Sequence, residues 1–330
     1  MAPEVVVNQT HMIHPCYELN HLNYVPSKTH SLQCVLLKIF LCLLSIIIIC
    51  GNLLIIISVV YFKQLHTPTN YLILSLAVAD LLVGVLVFPL TIEFTVTYCA
   101  YQEELLCKVR SSVDVTLSIA SILHLCCISI DRYHAVCKPL TYRTTITVHV
   151  VVFMILMSWC LSVVFTIAFV ITDLNYAKCG RKCYIDVLIA TILGFICSFY
   201  LPVSVMICIY VKIFLVAQKQ ARSIQNTSYQ SRMPRAAVSK MERKATKTLT
   251  IVMGVFLICW SPYFLYTCVY LGKQALIPIA ASEGLTWLAL SNSMLNPFIY
   301  AFFYSWFQSA FKMIVSGKIF QGDFSSTRLH

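Results

Sequence analysis

The sequence predicts an all-α membrane protein, a bundle of seven transmembrane helices followed by a short amphipathic helix 8, and three observations predict it. The 330-residue chain is 59% hydrophobic and only 11% charged, against roughly 25% charged in an ordinary soluble domain. Apolar runs of about 20 residues, the length that crosses roughly 30 Å of hydrocarbon, recur along it with short polar stretches between them. Basic residues collect in alternate polar stretches; a soluble nucleic-acid-binding protein carrying the net charge of +11 would gather them on one face instead.

The spans read at 35–61, 70–94, 108–132, 149–172, 186–213, 247–270 and 279–302, where apolar stretches run long enough to cross and end in polar or basic residues. They divide the chain into an extracellular segment 1–34, a seven-helix domain 35–303, and an amphipathic helix with cytoplasmic tail over 304–330. The polar opening residues lack the basic start, short apolar core and small-residue cleavage site of a signal peptide, so the first span is expected to act as an uncleaved anchor. Seven is odd, so the termini face opposite sides.

Most of the 24 Lys and Arg follow spans one, three and five or lie in the tail, among them Lys63, Lys138, Arg143, Lys219, Arg222, Arg243 and Lys312. The positive-inside rule therefore puts the N-terminus outside. The sequon Asn8-Gln9-Thr10 agrees, since Asn8 is then accessible to glycosylation, whereas Asn226-Thr227-Ser228 falls inside. The third internal loop, 214–246, is polar, basic and expected to be mobile. Beyond span seven, Trp306, Phe307, Phe311, Ile314 and Val315 share one face of a helix over 305–318, which is expected to lie on the lipid of the inner leaflet. Of the 16 cysteines, Cys42, Cys50, Cys126 and Cys127 sit inside apolar runs, as small lipid-compatible hydrophobes rather than metal ligands.

Ionisable groups within spans are costly and need partners. Asp131 opens Asp131-Arg132-Tyr133 at the inner end of span three, and Glu242 stands at the base of span six. A guanidinium offered two alternative acids forms a bistable element. Asp80 lies mid-span, with Ser121, Asn292 and Asn296 as polar neighbours; that oxygen set suits a hydrated sodium ion or, equally, a plain hydrogen-bond network. Asp114 precedes Asp131 by seventeen residues, about 26 Å along a helix, and so belongs to the outer half of the bundle.

Gly51-Asn52, Asp80, Asp131-Arg132-Tyr133, Trp159, Pro202, Cys259-Trp260-Ser261-Pro262 and Asn296-Pro297-Phe298-Ile299-Tyr300 fall one per span. In that order they resemble the rhodopsin-like, class A G-protein-coupled receptors across the whole membrane-embedded part. Asn292-Ser293-Met294-Leu295-Asn296-Pro297-Phe298-Ile299-Tyr300-Ala301-Phe302-Phe303-Tyr304-Ser305-Trp306-Phe307 and the first internal loop around Phe62–Asn70 are similar to the trace amine-associated receptors.

The resemblance implies that Asp114, with Val115 beside it, pairs with a ligand ammonium. Trp260, Tyr263, Phe264, Tyr266 and Trp287 are candidates to wall the site by cation–π attraction, and Ser118 and Ser198 to offer hydroxyls. Trp260, just before the kink of Pro262, links ligand to helix movement. Arg132, Tyr210, Asn296, Pro297 and Tyr300 carry the change inward to a heterotrimeric G protein of the stimulatory class and cAMP. It also implies the disulfide Cys107–Cys183 and an additional Cys16–Cys179, for which Cys34 and Cys99 compete with Cys16 as partners. The setting implied is the plasma membrane, in olfactory neurons and their cilia.

The chain departs from the family at Leu290, where most amine receptors carry a tyrosine that bonds the aspartate, and at Ala100, where relatives have tryptophan. Glu283, two turns above Leu290, would serve a diamine or polyamine if it faced the pocket mouth, and otherwise is a solvated rim residue. An organic-cation transporter and a class A receptor for a non-amine ligand are the alternatives; the first lacks the repeated halves that such folds carry. No nucleophile, metal or acid–base constellation suggests an enzyme, and no cofactor is expected beyond the allosteric sodium ion.

Overall fold

The structure, a computed structural model, describes residues 17–20, 23–26, 32–97, 104–179, 184–227, 235–273, 279–320 and 324–326. Asn8, Cys16 and Cys183, and the side chains of Cys107, Cys179 and Glu242, lie outside the described residues. A short antiparallel hairpin, Tyr17–Asn20 with Asn23–Pro26, precedes the bundle.

Span one is the helix Leu32–Tyr61. Span two runs Pro68–Leu82, then through a wide π turn Val83–Val87 into Phe88–Thr97. Span three is Glu104–Cys137 and span four Val148–Cys179. Span five joins Tyr184–Phe195 to Leu201–Thr227 through a second π turn, Ile196–Tyr200. Span six is Arg235–Lys273, and span seven is Ile279–Leu290 followed after Ser291 by Asn292–Phe303. Both π turns come just before a proline, Pro89 and Pro202. Proline has no N–H and presses on the carbonyl four residues back, and a wide turn relieves both. Among the described residues six helices are long and apolar enough to cross a membrane; span seven falls short because of the break at Ser291.

The helices outrun the apolar runs at their inner ends. Of the segment 214–246 expected to be a loop, residues 214–227 and 235–246 are helical. Hydropathy marks where lipid ends, whereas Lys, Arg, Gln and Ala carry a helix on into water.

The packing inverts that of a soluble protein. Asn52, Asp80, Ser121, Asn292, Ser293 and Asn296 are buried, while large apolar side chains such as Phe40, Phe153 and Ile258 (69%) are exposed, as a lipid-facing surface requires. Ser75, His124 and Trp159 bind spans two, three and four together: the Trp159 indole donates to Ser75 Oγ at 3.0 Å, and Ser75 Oγ lies 2.7 Å from His124 Nε2. The amphipathic helix is Ser305–Val315. It buries Ala310 against Phe62 and Leu65, sends Phe307 into the main core with Ile299 and Tyr300, and leaves Phe311 and Val315 exposed. Gly317 ends it at φ +68°, a conformation open to glycine at little cost.

Cys42, Cys50, Cys126 and Cys127 are free thiols. Cys34, read from the sequence as a competitor for Cys16, is buried and disulfide-bonded.

Gly51 lets spans one and seven close on each other. A Cβ at that position would stand 2.8 Å from the Pro297 Cβ, and neither backbone has slack. Gly51→Ala is expected to destabilise the bundle by about 1–3 kcal/mol, read as a lower melting temperature of detergent-solubilised protein and reduced surface expression.

Candidate functional site

Spans three to seven enclose a cavity of about 510 Å3 toward their outer ends. Asp114 opens onto it from span three. One turn inward, Ser118 shares the same face and its Oγ donates to Asp114 Oδ1 at 3.3 Å. Val115, Ser198, Trp260, Tyr263 and Phe264 also line the cavity. The Phe264 ring stacks on Phe199 at 3.8 Å and lies 6.0 Å from Trp260. The π turn of span five carries Ser198, so the irregular backbone is what presents that hydroxyl.

Three residues expected at the site are not among those lining the cavity. Tyr266 stands two residues beyond Phe264, about 200° around the helix. The Trp287 ring packs edge-on against Phe88 at 5.3 Å, in a cluster with Val87, Leu117 and Leu290, on the face turned to span two. Glu283 is one turn outward of Thr286, the outermost lining residue of span seven among those described.

The cavity also has walls that the sequence reading missed: Lys108, Thr166, Phe169 and Phe195 line it. Arg110, one turn outward of Asp114, acts on that carboxylate as an opposite charge, and its Nε donates to Thr91 Oγ1 of span two at 3.2 Å. The same four-residue spacing that put Ser118 beneath Asp114 puts Arg110 above it, so this cation was available from the sequence. Leu290, buried on the cavity wall, offers no hydrogen bond.

Deeper in the bundle, Asp80 is fully buried and accepts from Ser121 at 3.2 Å, Ser293 at 2.7 Å and Asn296 at 2.7 Å. Ser293 adds a donor that the sequence reading did not name. The amide oxygens of Asn52, Asn292 and Asn296 are buried without a hydrogen-bond donor, which marks this layer as acceptor-rich. Asn52 Nδ2 donates across to the Ser293 carbonyl at 3.2 Å.

At the inner end, Arg132 Nε donates to Asp131 Oδ2 at 2.9 Å. Asp131 also accepts from Thr69 of span two at 2.9 Å and from Tyr142, beyond span three, at 2.9 Å. Burial pushes the Tyr142 phenol above its ordinary value, so it keeps its proton and serves as a donor. Thr69 and Tyr142 were missed because they come from other segments and leave no spacing signature. Tyr133 is not in this group and packs edge-on against His134 at 5.5 Å. Tyr210 accepts from Ser129 at 3.5 Å, and Tyr300 is buried 5.5 Å from the Tyr304 ring. Pro297 is buried inside span seven.

The family described as 7 transmembrane receptor (rhodopsin family) matches residues 51–300. The chain is 42% identical over 329 residues to trace amine-associated receptor 1 of Macaca mulatta, covering 95% of each chain. It is 42% identical over 333 residues to the receptor of the same name from Mus musculus, covering 97% of this chain and 99% of the other. To trace amine-associated receptor 9 of Mus musculus it is 43% identical over 298 residues, covering 86% of each.

The triple engagement of Asp131 makes an energetic prediction. Tyr142→Phe removes one hydrogen bond to a buried carboxylate and is expected to cost about 1.5–3 kcal/mol. A double-mutant cycle with Thr69→Ala, read by thermal denaturation, should show non-additive losses; independent, additive losses would mean that the two donors do not share Asp131.

Proposed function

Because this chain belongs to the trace amine-associated branch of the rhodopsin-family seven-transmembrane receptors, we propose that it senses a small protonated amine through Asp114 and signals by a stimulatory G protein and cAMP. It is a multi-pass membrane protein whose partners are a small-molecule ligand and a G protein, and it is not an enzyme. The proposal places it in the plasma membrane with its N-terminus outside and, by the same resemblance, in the cilia of olfactory neurons.

The observation that carries the amine reading is a carboxylate on the wall of an aromatic-lined cavity, with Ser118 at 3.3 Å as its hydrogen-bond donor. A protonated amine there gains a charge-assisted bond in a partly desolvated site, and the Trp260, Tyr263 and Phe264 rings add quadrupole attraction. The relatives' names supply the ligand class independently. For signalling, ligand affinity must differ between two states. Trp260, between the cavity and the inner core, is proposed to repack, and Arg132 to leave Asp131 as spans five and six part.

A sodium ion as allosteric ligand belongs to the same proposal. The Asp80 carboxylate, the hydroxyls of Ser121 and Ser293, and the donor-free oxygens of Asn292 and Asn296 form an all-oxygen set of the kind hard cations take. When bound, the ion would neutralise a carboxylate that is otherwise buried.

Two tests follow from these assignments. Asp114→Ala is expected to raise the EC50 of an activating amine on the order of 30-fold or more, since breaking a desolvated charge pair costs about 2–5 kcal/mol; an unchanged cAMP response would remove the amine reading. Asp80→Asn should abolish the dependence of agonist affinity on sodium, measured in membranes with potassium or choline as the control cation; sodium sensitivity that survives would place the ion elsewhere.

A further inference from the structure

We infer that the cavity selects its ligand by the bulk of the hydrocarbon attached to the ammonium, and that Phe169, seated end-on against Gly194, sets the limit on that bulk. This deepens the amine reading of Asp114 and rests on it.

The cavity reaches well past the carboxylate. At 3.6 residues per turn, Asp114 stands at one edge of the face that span three turns to the cavity, and Ile119 about 140° around it. Thr116, about 60° further on, bonds Thr166 of span four at 2.8 Å. The far edge of the face therefore belongs to the corner between spans three, four and five. Ile122, also on the wall, lies about 12 Å inward of Asp114 along the axis. The volume of about 510 Å3 falls in the range of roughly 300–1,000 Å3 that encloses drug-sized ligands. The smallest alkylamines would leave most of it unfilled.

What the far corner offers a ligand is hydrocarbon, from Ile119, Ile122, Phe169 and Phe195. Hydroxyls on the same side are turned to their own helices: Thr166 donates to the Ser162 carbonyl at 2.9 Å, Ser112 to the Lys108 carbonyl at 2.7 Å and Thr172 to the Ala168 carbonyl at 2.8 Å. A ligand fixed at Asp114 by its ammonium gains here by burying apolar area, and the gain grows with the area it carries.

Phe169 limits how much fits. The tip of its ring meets span five at Gly194, where a Cβ would stand 2.8 Å from Phe169 Cζ and 2.9 Å from Cε1. Phe195, the next residue of span five, lies 6.2 Å from the same ring and is itself packed edge-on against Phe264 at 5.5 Å, which braces that wall. Glycine inside a helix costs more backbone entropy than alanine would; at this position it makes the recess that receives the ring. A methyl group on residue 194 drives the tip out of the recess, and the open space that the ring borders is the cavity. Gly194 is thus a positioning residue that acts on the ligand through Phe169.

The test uses three primary amines that share an ammonium and differ in body, namely propylamine, 2-phenylethylamine and 4-phenylbutylamine, on the full-length receptor. Responses are read as the EC50 for cAMP and as the concentration giving half-maximal thermal stabilisation of the solubilised receptor, so that the second readout does not depend on coupling. The parent is expected to respond to 4-phenylbutylamine at roughly a tenth, or less, of the propylamine concentration. Gly194→Ala should raise the 4-phenylbutylamine value roughly tenfold or more, the discrimination that a methylene carries in an apolar pocket, and leave propylamine within about threefold. In the Phe169→Ala background the same glycine substitution should have no selective effect, since no ring is left to displace. Phe169→Trp, which enlarges the same wall, stands in if Gly194→Ala does not reach the surface, and should impose the same selective loss. The inference is overturned if the parent does not favour the larger amines, if Gly194→Ala or its stand-in shifts short and long amines equally, or if the glycine penalty persists without Phe169. Asp114→Ala separates the two levels: responses that survive it sink the amine reading itself, whereas responses that it abolishes, but that show no dependence on body size in the parent, sink the size inference alone.

Discussion

A carboxylate inside hydrocarbon must be met by donors from the protein, and this molecule is organised around meeting that demand three times. Asp131 accepts from an arginine, a threonine and a tyrosine drawn from three segments. Asp80 accepts from two serines and an asparagine drawn from spans three and seven. Asp114 has Ser118, one turn away on its own helix, as its hydrogen-bond donor at 3.3 Å, and feels Arg110 as an opposite charge from the other side. The first two carboxylates bind helices to one another. The third gains no bond across the bundle from Ser118, and an empty volume lies in front of it. Unmade interactions at a buried charge cost free energy, and a ligand that makes them recovers it, so the site is read from where satisfaction stops.

The seven spans were legible because hydropathy reports directly on solvent: a run of apolar residues long enough to cross is hard to place elsewhere. The helix ends were not. Spans five and six continue to Thr227 and from Arg235, through Lys219, Arg222, Lys240 and Lys244, because a charged residue ends the membrane without ending the hydrogen-bonded helix. The π turns were equally invisible in hydropathy. Each belongs to a proline whose register could be read, yet whether proline kinks a helix or widens a turn is settled by the neighbours it packs against.

The candidate site divides along the same line between local and distant information. Asp114, Ser118 and Ser121 lie at spacings of four and three, so one helix face could be drawn from the sequence, and Arg110 extends that face outward by the same rule. Of the aromatic candidates, Trp260, Tyr263 and Phe264 line the cavity and Tyr266 and Trp287 are not among its lining residues, because an aromatic ring in a span looks the same in sequence whether it faces a cavity or a neighbouring helix. Ser293 and Tyr142 had no local signal, since each reaches its carboxylate only after separate segments have packed. Departures from the expected pattern, such as Leu290, were informative for the opposite reason. They said what Asp114 would lack, and the fold shows Arg110 and Ser118 beside it instead.

Span three is the common support of all three acidic sites. It contributes Asp114 and Ser118 to the cavity, Ser121 to the Asp80 network, and Asp131 and Arg132 to the inner cluster. A ligand that draws Asp114 away from Arg110 and Ser118 therefore acts on the same rigid helix whose next turn holds the Asp80 layer through Ser121. Span six supplies the other path, since Trp260 lines the cavity and packs in one core cluster with Ile122, Phe256 and Tyr300. Close-packed interiors respond to such a shift by changing between alternative packings rather than by deforming smoothly. The Asp131–Arg132 pair is the element with the clearest pair of alternatives, because Arg132 bonds Asp131, Thr69 and Tyr142 while Asp131 has donors of its own in Thr69 and Tyr142 that would remain if Arg132 left. Coupling over the roughly 26 Å from Asp114 to Asp131 thus needs no continuous wire of polar contacts, only two helices whose packing at one end excludes one of the two arrangements at the other.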